Sequence, residues 1–516
     1  MRVFNTSGPC DPAKHYTVMR ETLVAEGQKL VDQGRYFTIF SPRQAGKTTW
    51  FQLLFRQLQE QGYTPVWISL EGLSTLASAE FYHALAHFLR RELAVEGIEL
   101  TETFANAFQV QLFFEKLHEK VDRLVLVIDE FEAIPEAVTS EFLHSLRALY
   151  HKRQFHALHS LILVGVSTLA ELVVSSASPF NVIDQLQITY FTFAEVNELI
   201  QQHVSESGQV FDAVVIKAIY DNTQGQPGLV CALCQHLVTK VVPDFSQPVR
   251  MEHFYPTLKH FLTARFDKNI LNVVQKAREK QEFMLRVLFD ETPIPFNLNE
   301  PTIAYLYAHG AIDNVDGFVQ VPVPLYSKAL IAAFRPSING ETDYFIVSAH
   351  ETLRAYITPD GLNLHALLTK YQEYVRRRGF RAFNTEQLKE SAWHYSLDGF
   401  INFFIERLGG QTFIEVPSGR GRTDILILYR GQKSIIETKI FSDQTYFQQG
   451  KEQLADYLAS EGVSEGYYVV FSRKHSEQDT VYFDESIAGK RIHTYIIRAA
   501  LQPPSRRRRS SASSTA

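Results

Sequence analysis

Three cysteines, Cys10, Cys231 and Cys234, are all that 516 residues contain, which excludes a disulfide framework. Cys231 and Cys234 form a C-x-x-C, but within the apolar run Leu229-Val230-Cys231-Ala232-Leu233-Cys234 and with no second pair to complete a zinc site. They read as buried core thiols. No apolar run reaches membrane-spanning length; even Leu161-Ile162-Leu163-Val164-Gly165-Val166 is short enough for a buried strand. No basic region followed by an apolar stretch opens the chain, so a secretory signal is not expected and the expected compartment is the cytoplasm. Charge of one sign is also scarce: a formal net charge of -6 argues against coating nucleic acid by bulk charge. Any nucleic-acid site must then be a local basic patch. The run Arg506–Arg509 sits in a Ser/Ala/Pro-rich segment, residues 501–516, that reads as a disordered basic tail, either simply solvated or touching phosphate.

What is present is an ordered composition, 45% hydrophobic and 12% aromatic, in a chain too long for one core. Roughly three to four domains are expected. Tyr36-Phe37-Thr38-Ile39-Phe40 is a strand-like run that feeds Ser41-Pro42-Arg43-Gln44-Ala45-Gly46-Lys47-Thr48, followed by Thr49 and a helical stretch to Gln59 with Phe51, Leu53, Leu54, Phe55 and Leu58 on its apolar side. Strand, glycine-containing loop and helix form a phosphate cradle of backbone N–H groups, the P-loop context. Lys47 would reach the β- and γ-phosphates and Thr48 would hold Mg²⁺. Ser41 stands where the usual pattern has Gly, which bears on the loop's backbone angles. Leu124-Val125-Leu126-Val127-Ile128-Asp129-Glu130 is a buried-type strand ending in two carboxylates; Asp129 would hold Mg²⁺ through water and Glu130 would polarise the attacking water. A later strand, Ser160–Val166, ends in Ser167-Thr168, either a γ-phosphate sensor or a helix N-cap. His151, His156 and His159 read as ordinary surface histidines.

Phe4-Asn5-Thr6-Ser7-Gly8-Pro9, His15-Tyr16, the P-loop, Ser178-Pro179-Phe180-Asn181 with Phe191-Thr192, and Gly225-Gln226-Pro227-Gly228 together resemble a prokaryotic AAA-like ATPase family related to archaeal-type and STAND NTPases. The resemblance implies ATP as the nucleotide and a helical lid after the core. Tyr16 either stacks on the base or anchors the N-terminal arm. Arg43, Arg20 and Arg153 are the candidates for an arginine finger. Homo-oligomerisation suits such ATPases, although no coiled coil is found.

Residues 281–335 suggest a winged helix: helical 281–289, then Ile303-Ala304-Tyr305-Leu306-Tyr307, then Asp313-Asn314-Val315-Asp316-Gly317 as a turn into Phe318-Val319-Gln320-Val321. Its supposed recognition helix is poor in Arg and Lys, which favours a packing role over DNA reading. Near the C-terminus, Gly421-Arg422-Thr423-Asp424 opens one apolar strand and Ser434-Ile435-Ile436-Glu437-Thr438-Lys439 forms the next. If the two pair symmetrically about Gly431 and Gln432, Asp424 lies opposite Lys439, and Glu437 shares their face. Asp424, Glu437 and the Thr438 carbonyl would bind Mg²⁺ or Mn²⁺, and Lys439 would orient water or stabilise the transition state. This spacing resembles the PD-(D/E)XK nuclease superfamily, as do Glu415 before the Gly-Arg-x-Asp run and Gln453 and Tyr457 on the following helix.

The expected fold class is therefore α/β. An ASCE-type P-loop ATPase core (1–195) carries a helical lid (196–275) and a winged-helix-like domain (276–345), then a helical connector (346–379) and an α/β PD-(D/E)XK nuclease-like domain (380–500). The expected activity is ATP-controlled, metal-dependent cleavage of nucleic acid, with DNA favoured and no membrane partner. The alternatives are a signalling NTPase whose last domain only binds nucleic acid or a partner, and an ATP-dependent DNA-binding regulator.

Overall fold

The computed structural model describes residues 1–40, 45–165, 184–263, 267–290, 292–334, 353–359, 361–382, 390–418, 421–472 and 480–498. Ser41 to Gln44, Ser167, Thr168 and the Arg506–Arg509 run lie outside the described residues. Two compact units result: Met1–Lys280 with Pro295–Ala329, and Gln281–Ile294 with the described residues from Leu330 onward.

In the first unit, α1 (Glu21–Asp32), β1 (Tyr36–Phe40), α2 (Lys47–Glu60), β2 (Thr64–Ser69), α3 (Ser78–Val95), α4 (Ala107–Leu117), β3 (Leu124–Asp129), α5 (Glu136–His151), β4 (Leu158–Gly165) and β5 (Asp184–Gln187) make a wound α/β core. Its sheet runs β2-β3-β4-β1-β5, and every pair is parallel. The inner strands β1, β3 and β4 are nearly continuous in apolar residues because helices cover both faces. Alternate residues feed separate cores: Leu124, Leu126 and Ile128 join the cluster under α3, α4 and α5, whereas Val125 and Val127 join that under α1 and α2. β4 lies between the P-loop strand β1 and the acidic strand β3, as an ASCE-type core requires.

Four helices follow, α6 (Phe193–Ser207), α7 (Ala213–Thr223), α8 (Pro227–His236) and α9 (Met251–Thr263), then α10 (Lys268–Arg278). The starts of α6 and α8 have local causes. Thr192 and Glu195 form a reciprocal cap at the start of α6, and Pro227 takes the first turn of α8 with Gln226 as N-cap. Gly225 has φ 74°, and a Cβ there would stand 1.8 Å from the Phe191 carbonyl oxygen; only glycine fits this turn.

Next come α11 (Gln281–Phe289), α12 (Pro301–Ala308), the hairpin β6 (Asp313–Val315) and β7 (Phe318–Gln320), and α13 (Pro324–Phe334). The hairpin turn is confined to Asp316-Gly317, both with positive φ, so it is shorter than the sequence suggested. α11 groups with the second unit and α12, β6 and β7 with the first.

The second unit continues with the short pair β8 (Ile357–Thr358) and β9 (Gly361–Leu362), α14 (Leu364–Ala382), α15 (Glu390–Arg407), β10 (Gln411–Ser418), β11 (Gly421–Tyr429), β12 (Gln432–Ile440), α16 (Gln444–Ser460), β13 (Glu465–Ser472), β14 (Thr480–Ile487) and β15 (Lys490–Arg498). The sheet order is β10-β11-β12-β13-β15-β14. β10, β11 and β12 form an antiparallel meander, and β13 joins β12 in parallel after the α16 crossover. Trp393 of α15 stacks on Phe471 at 5.0 Å, while on the opposite face Gly450 of α16 leaves room for Tyr468. The sheet is thus covered on both sides.

Candidate functional sites

The first candidate site begins where β1 ends. Gly46 caps α2 in the left-handed region, φ 92°, and a Cβ there would meet nothing within 4 Å. Glycine is needed here for its backbone angle rather than for space. Gly46, Lys47, Thr48 and Thr49 line a cavity of about 380 Å³ at the N-terminus of α2, where the helix dipole favours an anion. Ala45 is buried beside them.

Asp129 lies at the end of β3, half-buried. Burial pushes its carboxyl above the usual carboxylate range, against the opposing pull of the Glu130 N–H at 2.9 Å and of the Lys47 ammonium. Glu130 has φ 52°, a left-handed angle rare for a side chain of this kind. Such strain is stored where a side chain must be aimed. Its carbonyl closes the turn that follows by accepting Ala133 N–H at 2.9 Å.

The cavity's other wall was not legible from the motif. The segment before α1 contributes Asn5, Cys10 and Val18, α8 contributes Cys231, and Lys268 opens α10. This arm is tied to the P-loop helix by Cys10 N–H donating to Thr49 Oγ1 at 3.0 Å. It is tied to α6 by Tyr16 OH and His203 Nδ1 at 3.2 Å. Tyr16 is 1% exposed and packs on Phe4 and His203; it anchors the arm and also lines the cavity.

Two of the three arginine-finger candidates have structural partners within the first unit. Arg20 binds Glu195 and the Thr189 carbonyl, and Arg153 lies 3.8 Å over the Tyr150 ring; Arg43 is outside the described residues. His151 is exposed, as a surface histidine, but the surface reading of His156 and His159 needs correction. His156 is buried and bonds Leu149 O, and His159 bonds Val31 O, because each imidazole satisfies a carbonyl at the end of an element. Cys231 and Cys234 are buried, free thiols, as core residues should be.

The second candidate site is built on the β11–β12 hairpin. Arg430 and Gly431 both have positive φ, giving a two-residue turn closed by Tyr429↔Gln432. This corrects the expected register: pairing runs one residue earlier at the turn, so Asp424 falls opposite Glu437 rather than Lys439. The ladder itself ends at Ile425↔Ile436. Beyond it the Asp424 Oδ2 takes over as acceptor, from Thr438 N–H at 2.6 Å and Thr438 Oγ1 at 2.7 Å. The carboxylate therefore fills the split between the strands.

Glu437 is 1% exposed. Lys439 Nζ lies 3.1 Å from its Oε1, and its Oε2 is buried without a hydrogen-bond partner. Burial, and then the Asp424 charge, push the Glu437 carboxyl up to about 8. Asp424 shifts the other way: burial raises it, but His394, Lys439 and the Thr438 N–H outweigh that and hold it below its ordinary value. His394, on α15, is the residue that strand spacing missed. Its Nδ1 lies 3.3 Å from Thr438 Oγ1 and 3.9 Å from Asp424 Oδ2. Gln453 Nε2 donates to Tyr457 OH along α16 at 2.5 Å. In the β10–β11 register Glu415 falls opposite Asp424, between Ile414↔Ile425 and Val416↔Thr423; its side chain is outside the described residues.

Two adjacent carboxylates, Asp424 half-buried and Glu437 buried with an orphaned oxygen and a raised proton affinity, are a donor set suited to a divalent cation. Among the described residues there is no group of three or more His, Cys, Asp and Glu that would hold a metal by themselves. A cation here would need backbone carbonyl, water or phosphate oxygens to complete its shell. No helix among the described residues is long and apolar enough to cross a membrane.

A family described as AAA-like domain matches residues 7–330, and a domain of unknown function, DUF8371, matches residues 363–475. An uncharacterized WD repeat-containing protein of Synechocystis is 25% identical over 224 residues, 39% of this chain; the chain spans 18% of that protein's length. Similar solved structures include the Walker-type ATPase PABY2304 of Pyrococcus abyssi, with TM-score 0.49 and 14% identity over 63% of this chain and 99% of that one. Cdc6p of Pyrobaculum aerophilum has TM-score 0.38 and 13% identity over 64% and 96%. The Holliday junction branch migration motor RuvB of Thermotoga maritima has TM-score 0.34 and 15% identity over 58% and 90%.

Proposed function

Because the chain belongs to the AAA-like domain family and is a P-loop ATPase-like, ATP-binding protein, we propose that it hydrolyses ATP at the first site and that nucleotide state governs metal-dependent cleavage of nucleic acid, DNA in preference, at the second. At the first site the N-terminus of α2 and Lys47 take the phosphates, Thr48 and Asp129 would hold Mg²⁺, and Glu130 orients and polarises water for attack on the γ-phosphate.

For the second site the carrying observation is the strand split that gathers Asp424, Glu437 and Lys439, with Lys439 Nζ 3.1 Å from Glu437 Oε1. Asp424 and Glu437, with a Thr438 carbonyl, would hold the cation. When bound, it would acidify a water and neutralise phosphate charge. Lys439, now beside Glu437, would orient the water or stabilise the charge that develops on the phosphate oxygens. His394 and Thr438 fix the Asp424 carboxylate in the split. The winged-helix reading of residues 281–335 lends no support to DNA contact, since the β6–β7 hairpin carries Asp313 and Asp316.

A second reading has one observation in its favour. Asp424 Oδ2 already accepts two hydrogen bonds from Thr438, which suits a domain that binds a nucleic acid or partner without cutting it. Cleavage of mixed DNA and RNA with Mg²⁺ or Mn²⁺, with and without ATP, separates the two. Cutting that is lost in Lys439→Ala, with an ATP effect lost in Lys47→Ala, supports ATP-controlled cleavage. ATP hydrolysis with every substrate intact moves the signalling reading to first place.

A further inference from the structure

The arm that walls the nucleotide cavity presents an unusual backbone pattern. Thr17 has both of its backbone groups taken by one side chain: its N–H donates to Gln202 Oε1 at 3.1 Å, and its carbonyl accepts from Gln202 Nε2 at 3.0 Å. Gln202 belongs to α6. The next residue, Val18, is buried and lines the cavity, and its N–H and C=O form no hydrogen bond among the described residues. Buried backbone groups are paired in nearly all native structures, so an orphaned pair facing a cavity asks for a ligand that donates and accepts side by side. In a run without turn or helix, the backbone groups of successive residues face alternate sides. Holding those of Thr17 toward α6 turns those of Val18 the other way, into the cavity.

We propose that Gln202 is a positioning residue for base selection: by clamping Thr17 it sets the Val18 N–H and C=O as an edge that reads the N1 acceptor and the 6-amino donor of adenine. Guanine carries the same two functions in reversed order, an acceptor at O6 and a donor at N1, and meets this edge donor to donor. The inference rests on the reading of the first site as an ATP site. It adds a residue of the lid helix that never touches the nucleotide, Gln202 itself, to the elements that choose the base.

The test compares binding of ATP, GTP and purine riboside triphosphate, which lacks the 6-amino group, to the full chain by calorimetry. The wild type should prefer ATP over purine riboside triphosphate by about tenfold, the scale of one buried hydrogen bond. Gln202→Ala, and Gln202→Glu, which can no longer donate to the Thr17 carbonyl, should shrink that preference to about twofold or less. Equal weakening for all three triphosphates, with the preference kept, would make Gln202 a structural clamp only and overturn the proposal. So would a wild type with no preference. Wild type that binds none of them, or binding that survives Lys47→Ala, would instead sink the ATP-site reading beneath it.

Discussion

Both candidate sites set a pair of acidic residues on buried strands, the first pair where β3 ends and the second where the β11–β12 ladder stops, and they treat the pair in opposite ways. Asp129 and Glu130 are consecutive, so strand alternation would send them to opposite sides; a left-handed angle at Glu130 turns the chain instead. The charges around them belong largely to the backbone and to Lys47, and the helix N-terminus at Gly46 is built for an anion. Asp424 and Glu437 come from different strands and meet in a split, with His394 beside the first and Lys439 beside the second. There the two carboxylates divide their roles: Asp424 is held ionised and Glu437 is pushed to about 8. The first region is organised around a phosphate that arrives with its charge, the second around a cation that must displace a proton.

The sharpest way to break this comparison is to neutralise the aimed carboxylate of the first site. Glu130→Gln should lower ATP hydrolysis by about 10²- to 10⁴-fold, the usual share of a general base, while ATP binding measured by calorimetry stays close to wild type. Lys47→Ala should abolish binding itself. A Glu130→Gln protein that hydrolyses ATP normally would remove the significance given to the strained turn.

Lys439→Ala is the corresponding change in the second region. Metal-dependent cleavage should fall by about 10²- to 10³-fold, with ATP turnover, followed by phosphate release, unchanged. Loss of both activities together would mean that the residue supports folding rather than chemistry.

A smaller effect probes the lid. In Gly225→Ala the new methyl group would collide with the Phe191 carbonyl oxygen, 1.8 Å from the ideal Cβ, at φ 74°. A loss of about 2–4 kcal/mol is expected from denaturant titration of the first unit's transition. A change below about 0.5 kcal/mol would show that the Phe191–Gly225 turn opens freely.

How far the sequence reached follows from the same contrast. The P-loop and the acidic strand are contiguous stretches whose chemistry depends on local geometry, so the strand Tyr36–Phe40, the helix that opens at Lys47 and the strand Leu124–Asp129 could be read in place. The hairpin was read correctly as a hairpin but with the wrong partner for Asp424, because pairing depends on which two residues adopt positive φ. Arg430 does so here although nothing in an arginine side chain announces it. Contacts far apart in the chain were illegible: Tyr16 with His203, Thr17 with Gln202, and His394 with Thr438. Each joins groups whose residue types are common at surfaces, and only the fold brings them together.

The finest test of the comparison is a titration of stability with and without a divalent cation, in the absence of nucleotide. Glu437 has its folded-state proton affinity raised, to about 8 from an ordinary 4.5. Its contribution to stability is therefore complete below about 4.5 and is lost as pH rises through 8. Asp424 has the opposite sign: its lowered value stabilises the fold above the ordinary carboxylate range and is lost only in acid, so it adds no slope between pH 6 and 8.5. A cation held by both carboxylates must expel the Glu437 proton, so Mg²⁺ or Mn²⁺ should raise Tm of the second unit little at pH 6 and by roughly 2–4 °C at pH 8.5. Glu437→Gln should stabilise the cation-free protein at pH 8.5, where the wild type pays for an ionised buried carboxylate, and should erase the cation's effect at every pH. A cation shift that is the same at pH 6 and 8.5, or that survives in Glu437→Gln, would mean that the strand split does not receive the metal and that the two regions are less different than their charges suggest.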